Sequence, residues 1–190
     1  MTKRKQQQIL NTAEAMFNRF GIKKTAVDDI ARDARVAKAT IYNYFGNKEG
    51  LLKALIAQKI QQFESRLLKA TESTINPVDA IKSLIQEHIS LFTTNPFIND
   101  PALQDNELKE ELGRKEEHLL QKIVQHASSR GLLQGGDSNQ IIHTLLLLLK
   151  GMESSIKSIS FSMDSLNDSI NFISQTFFKS KVKEENNGTA

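Results

Sequence analysis

Apolar residues along this chain recur every three to four positions, which predicts helices in succession. The stretch "QQQILNTAEAMFNRFG" puts Ile9, Leu10, Ala13, Met16, Phe17 and Phe20 at helical spacing, with Gly21 placed to cap the C-terminus. In "TAVDDIARDA", Thr25 stands as N-cap and Asp28 follows three residues later, the form of a capping box. That short helix carries Val27, Ile30, Ala31 and Ala34 on one stripe. After the link "RVA", a third helix, "KATIYNYF", runs to Gly46. Asn47 then caps a long fourth helix that starts at Lys48 and carries Leu51, Leu52, Leu55, Ile56, Ile60, Phe63 and Leu67.

A short helix, a tight turn and a second short helix make a helix-turn-helix, with Val36 of the turn expected to pack between the two. In the third helix Ile41, Tyr44 and Phe45 follow the i, i+3, i+4 rule and should point inward. The opposite face shows Lys38, Ala39, Tyr42 and Asn43 and carries no acid, which suits a groove walled by phosphates.

Further on, Asn76 and Pro77 open a helix with the stripe Val78, Ile81, Leu84, Ile85, Ile89 and Phe92. "TTNPFINDPALQDN" predicts a loop or broken helix. Residues 107–126 form an amphipathic helix, expected to divide near Gly113. Gly131, Gly135 and Gly136 punctuate the chain before Asp137 or Ser138 caps a helix over about 138–161, apolar nearly all round between Ile141 and Leu149. The last helix, about 164–180, has Leu166, Ile170, Ile173 and Phe177 on one stripe and Phe172 and Phe178 off it. These two closing helices carry more apolar surface than one core face needs, so a homodimer through them is expected. The predicted organisation is all-α: an N-terminal three-helix domain at 1–47, a larger helical domain at 48–181 and a disordered tail at 182–190.

Composition narrows this. Three Pro and nine Gly in 190 residues favour helices over a turn-rich β fold, and the absence of Cys removes disulfides, thiolate metal sites and a cysteine nucleophile. The most apolar run, 141–152, is interrupted by His143, Thr144 and Lys150 and falls short of the roughly 20 apolar residues a bilayer span needs. "MTKRKQQQIL" is basic, but no apolar signal core follows, so a cytoplasmic protein with no membrane partner is expected. Charge is unevenly distributed: residues 1–60 hold 12 Lys and Arg against 5 Asp and Glu, the remainder 13 against 17. A basic end on a mildly acidic chain fits a polyanion-binding module, and equally an ordinary solubilising surface.

No nucleophile motif, phosphate loop or zinc-binding HExxH is present, so neither an enzyme nor a cofactor is expected and no metal or catalytic residue is assigned. His118 and His126 read as surface histidines, and "DNELKEELGRKEE" as a solvated helix face rich in i, i+4 charge pairs. His88 and His143 differ, because each interrupts an apolar stripe.

"TAVDDIARDARVAKATIYNYFGNKEGLLKAL", residues 25–55, resembles the DNA-binding motif of the TetR family of bacterial regulators. Its landmarks are a Thr before helix two, the "DIA" core, "TIYNYF" on the recognition helix and "KEGLL" opening helix four. The family usually has Gly where Arg35 stands, so either Arg costs about 1 kcal/mol in a left-handed backbone or the turn is built slightly differently. It also favours Ser at Ala37 and Gly at Ala39. The resemblance implies a repressor of a double-stranded operator, released by a small and largely apolar effector. Lys38 and Ala39 would then face the bases, Tyr42 would pack on a thymine methyl and reach a phosphate or base edge, and Asn43 would be a further DNA contact on the same face. Thr25, Arg35, Thr40, Lys48 and the "KRK" arm would hold phosphates, and Tyr44 would bury its ring while its hydroxyl meets the backbone. Phe63, His88, Phe92, Phe97 and His143 are candidate effector contacts, with satisfied core histidines and packing aromatics as the alternative. A helical sensor of the same fold that has lost specific DNA reading is the rival expectation.

Overall fold

A computed structural model describes residues 3–73, 76–100, 106–134, 136–156 and 163–179. In chain order the helices are α1 (Lys3–Lys24), α2 (Val27–Asp33), α3 (Lys38–Phe45), α4 (Lys48–Ser73), α5 (Pro77–Thr94), α6 (Asn106–Ser129), α7 (Ser138–Ile156) and α8 (Met163–Phe177), with a 3-10 turn at Pro96–Asn99 after α5. The all-α expectation holds among the described residues, apart from an isolated antiparallel bridge between Leu133 and Phe178. The expected tail, 182–190, and the stretch 157–161 lie outside the described residues. No helix among them is long and apolar enough to cross a membrane.

By packing, the chain forms two units: Met1–Ser65 with Ser90–Leu112, and Arg66–Ile89 with Gly113–Ala190. The first unit builds its core from the stripes read in the sequence. Ile9, Leu10, Ala13 and Phe17 of α1 are buried, as are Ile30 and Ala31 of α2, Ile41 of α3, and Leu51, Leu55 and Phe63 of α4. Each large side chain removed from water in this way contributes on the order of 1.5–3 kcal/mol before entropy is counted. α1 packs on α2 and on the 3-10 turn, and α2 packs on α3. Phe97 of that turn lies against Phe17, with ring centroids 6.2 Å apart. Lys59 and Glu14 pair at 2.6 Å between α4 and α1.

Three details of α1 depart from expectation. The helical conformation is interrupted at Gly21 (φ 78, ψ 162) but is resumed as far as Lys24. Phe20, expected in the core stripe, is 45% exposed, and Arg19 stacks on its ring at 4.9 Å. "KRK" is the first turn of α1 and not a separate arm.

In the second unit, α5 buries Ile81, Leu84 and Ile85, α6 buries Leu119, Leu120 and Val124, and α7 buries Ile141, Ile142, Leu145 and Leu149. The Asn76 side chain accepts from the Val78 N–H at 3.0 Å, and Asp137 from that of Asn139 at 3.2 Å, so both expected caps form. α6 continues through Gly113 without the expected division, since one helical glycine weakens a helix without breaking it. Phe178, expected outside the apolar stripe, is buried. The Gln134 N–H donates to Phe177 O and that of Lys179 to Leu132 O, both at 2.8 Å, which anchors the end of α8 beside the α6–α7 connection.

Candidate nucleic-acid interface

The turn between α2 and α3 is a Schellman motif. The Val36 N–H donates to Ala31 O at 2.9 Å and the Arg35 N–H to Arg32 O at 3.1 Å, which satisfies the last carbonyls of α2. This closure needs a left-handed residue, and Arg35 supplies it at φ 52 where Gly would be unstrained. The turn geometry is therefore kept despite the substitution. Ala37, extended at ψ 142, stands at the N-cap of α3 with no side-chain cap, as its missing hydroxyl requires.

The far end of α3 is equally constrained. Its helix closes through the Gly46 N–H to Tyr42 O at 2.8 Å with Gly46 at φ 76, and the Asn47 side chain caps α4 by accepting from the Gly50 N–H at 2.7 Å. A side chain on Gly50 would place its Cβ 1.9 Å from Phe45 O, a backbone atom that cannot step aside. Gly50 thus allows the first turn of α4 to sit directly against the end of α3, a requirement the sequence pattern alone did not reveal.

Between these two junctions α3 buries Ile41 completely, while Tyr44 and Phe45 are half-buried with ring centroids 5.9 Å apart. The Tyr44 hydroxyl is buried without a hydrogen-bond partner among the described residues, so the expected backbone contact is not made. Lys38, Ala39, Tyr42 and Asn43 are exposed on the opposite face, and Arg35 is exposed in the turn before them. This outward face is less uniformly basic than the sequence of α3 implies. Asp28 of α2 reaches Lys38 Nζ at 2.7 Å, and the same ammonium stands 5.8 Å from the Tyr42 ring centroid. The hydrogen bond to Asp28, and then its charge, raise the Lys38 pKa above its ordinary value.

Thr40 and Lys48 are half-buried at the edges of this face. Burial lowers the Lys48 pKa, and the charge of Asp100 opposes that shift. Thr25 corrects the expectation for it. It is 2% exposed, and its hydroxyl turns inward to Gly21 O at 2.8 Å and Met16 O at 3.3 Å. Ala26 occupies the N-cap of α2 without a side-chain bond, so the Thr25 hydroxyl is neither a cap nor exposed towards a phosphate. Asp28, read as the second half of the capping box, is instead the partner of Lys38.

Of the effector candidates, three belong to the first unit and two, His88 and His143, to the second. Phe63, Phe92 and Phe97 are buried in the first unit, and Phe97 packs on Phe17. His143 lies exposed on α7. His88 is fully buried in the second unit, where its Nδ1 lies 2.5 Å from Glu116 Oε1. Glu116 belongs to the stretch read as a solvated face, yet it is only 3% exposed. Its position three residues before Leu119 and four before Leu120, both buried, was the available signal.

Residues 9–55 match the family described as bacterial regulatory proteins, tetR family. Among similar proteins, the fatty acid metabolism regulator protein of Bacillus subtilis is 33% identical over 87 residues, covering 46% of this chain and 45% of that protein. The HTH-type transcriptional regulator EthR of Mycolicibacterium smegmatis is 33% identical over 89 residues, 46% of this chain and 41% of the relative. The matched part is thus less than half the length of either relative. The fold extends further. A transcriptional regulator from Cytophaga hutchinsonii superposes with a TM-score of 0.75 at 20% identity, covering 91% of this chain and 98% of that one. The fatty acid degradation regulator FadR from Bacillus halodurans gives 0.71 at 21% identity, covering 92% and 95%. With the helix-turn-helix geometry in place, residues 9–55 form a segment that matches the DNA-binding part of the tetR family of bacterial regulatory proteins.

Proposed function

We propose that this protein is a sequence-specific DNA-binding transcriptional regulator, acting as a homodimer that represses from a duplex operator and is released by a small, largely apolar effector. The observation that carries the reading is the exposed face of α3, which presents Lys38, Ala39, Tyr42 and Asn43 on a helix held at both ends by satisfied backbone turns. A preorganised helix loses little freedom on entering a major groove, so its contacts appear as affinity and specificity.

In this reading Lys38, Ala39 and Asn43 face base edges, and Tyr42 lays its ring on a thymine methyl with its hydroxyl on an adjacent polar edge. Arg35, Thr40 and Lys48 hold phosphates and set the register, Tyr44 supports α3 from within, and Thr25 contributes by fixing the end of α1. Residues 1–47 read DNA, while 48–181 sense the effector and dimerise. Leu147 on α7, 57% exposed, and Phe172 on α8, 74% exposed, support a second copy docking on these helices. Two recognition helices then meet half-sites about 34 Å apart, or a multiple of that. The fatty-acid regulators among the similar proteins make fatty-acyl compounds the first effectors to screen.

The test is fluorescence anisotropy with duplex DNA from immediately upstream of the protein's own gene, against a scrambled duplex, across a salt series. A preference for the native duplex that persists as salt rises supports sequence reading. Equal and steeply salt-dependent binding to both would mean that only phosphates are held there.

A further inference from the structure

Three side chains of the second unit converge: His88 from α5, Glu116 from α6 and Glu153 from α7. Each offers a ligating atom, and these atoms lie within 4.8 Å of one another. The side chains of His88 and Glu116 are buried, and that of Glu153 is 30% exposed. We propose that this cluster is a binding site for a divalent transition-metal ion of the class that takes imidazole and carboxylate donors, such as Zn²⁺ or Mn²⁺. The inference goes beyond DNA binding and does not rest on it, since the site lies wholly in the second unit and can be assayed without DNA.

Geometry assigns the roles. Glu116 Oε1 lies 2.5 Å from His88 Nδ1, so that nitrogen carries the proton and donates to the carboxylate. Nε2, 3.9 Å from Glu153 Oε1, is then the ring atom left to bind an ion. That separation is too long for a hydrogen bond. A tetrahedral pair with bonds of about 2.0–2.1 Å stands roughly 3.3–3.4 Å apart, so these two donors reach a shared ion by closing about half an ångström, within the travel of the partly exposed Glu153 side chain. His88 Nε2 and Glu153 Oε1 are the ligands, and Glu116 fixes the tautomer and orientation of the ring, the carboxylate–histidine–metal arrangement.

Electrostatics points the same way. A cation at this point is attracted by two carboxylates at once, in surroundings where burial strengthens the attraction. The absence of Cys leaves nitrogen and oxygen donors, which selects against thiolate-seeking ions. The partial exposure of Glu153 offers an entry path, and the remaining coordination positions are available to water or to the donor groups of a small molecule.

The experiment uses the full chain, stripped with EDTA and dialysed, and titrates Zn²⁺ and Mn²⁺ by calorimetry, with Co²⁺ as a spectroscopic probe of coordination. Wild type is expected to bind one ion per chain. Glu153→Gln, isosteric and at the solvent-facing edge, should weaken binding at least tenfold while far-UV circular dichroism stays unchanged. His88→Gln should do the same, and if it unfolds the protein, Glu153→Gln alone decides. The proposal is overturned if wild type binds none of these ions. It is equally overturned if Glu153→Gln binds as tightly as wild type, which would place the ion elsewhere, for example at the exposed His118 or His126.

Discussion

On α3, Lys38, Tyr42 and Asn43 stand in solvent around a backbone whose turns are satisfied, whereas His88 and Glu116, on α5 and α6, are buried and hydrogen-bond each other. The first arrangement keeps its polar groups at the surface, where even the Lys38–Asp28 pair is exposed and contributes little to stability. The second commits polar groups to the fold, where removing one takes a buried hydrogen bond from the other. Truncations in the two regions should therefore separate binding from stability. On the proposed DNA face they should cost affinity, and in the helical core they should cost folding free energy.

The largest effect is expected at Glu116. Glu116→Ala removes the carboxylate opposite His88 and should lower unfolding free energy by about 3 kcal/mol, read from the urea midpoint at constant slope. A loss below 1 kcal/mol would mean the pair is not committed to the fold as described. Next comes Gly50→Ala, where the 1.9 Å approach to Phe45 O forces α3 and the start of α4 apart. Overpacking of this kind costs about 1–3 kcal/mol, and operator affinity should fall with it because the recognition helix moves. Wild-type affinity in this variant would show that the junction does not position α3.

Arg35→Gly is expected to act in the opposite sense on stability. It relieves the left-handed strain at φ 52 and should stabilise by about 1 kcal/mol, raising Tm by roughly 2–4 °C, while DNA affinity falls by the loss of one cation. Asp28→Asn should have the smallest effect. Releasing Lys38 should steepen the salt dependence of DNA binding, with log K against log salt changing slope by up to about 1. The pH response carries a definite sign. Because Asp28 raises the Lys38 pKa, the pair's contribution to stability is fully present below the ordinary lysine value of 10.5 and is lost as pH rises through the raised one. Wild type and Asp28→Asn should then converge in alkaline unfolding curves, and a gap that widens with pH would contradict the pairing.

Much of this was legible in the sequence because it is local. Helix periodicity, the Asn47 and Asn76 caps and the outward face of α3 each depend on residues within one or two turns of one another. At Arg35 the resemblance raised the question of a left-handed residue, and the Schellman turn with φ 52 answers it. What could not be read depends on encounters between segments. Asp28 reaches Lys38 across the turn, Thr25 folds back onto α1, and Glu116 meets His88 from a different helix. A charged run predicts a solvated face only on average. Here one of its carboxylates lies on the buried side of α6, beside Leu119 and Leu120, and the other helices determine what it meets. Gly50 stands within the "KEGLL" motif, but the contact that requires a glycine there appears only once α3 and α4 are placed together.

The most direct test of the central claim, that the exposed face of α3 reads DNA while the fold stands without it, is the double variant Lys38→Ala/Tyr42→Ala. Its discrimination between the native upstream duplex and a scrambled one would be measured by anisotropy, beside its thermal unfolding. The predicted result is a loss of discrimination of at least tenfold with Tm essentially unchanged. Discrimination equal to that of wild type would contradict the account and move sequence reading to another surface.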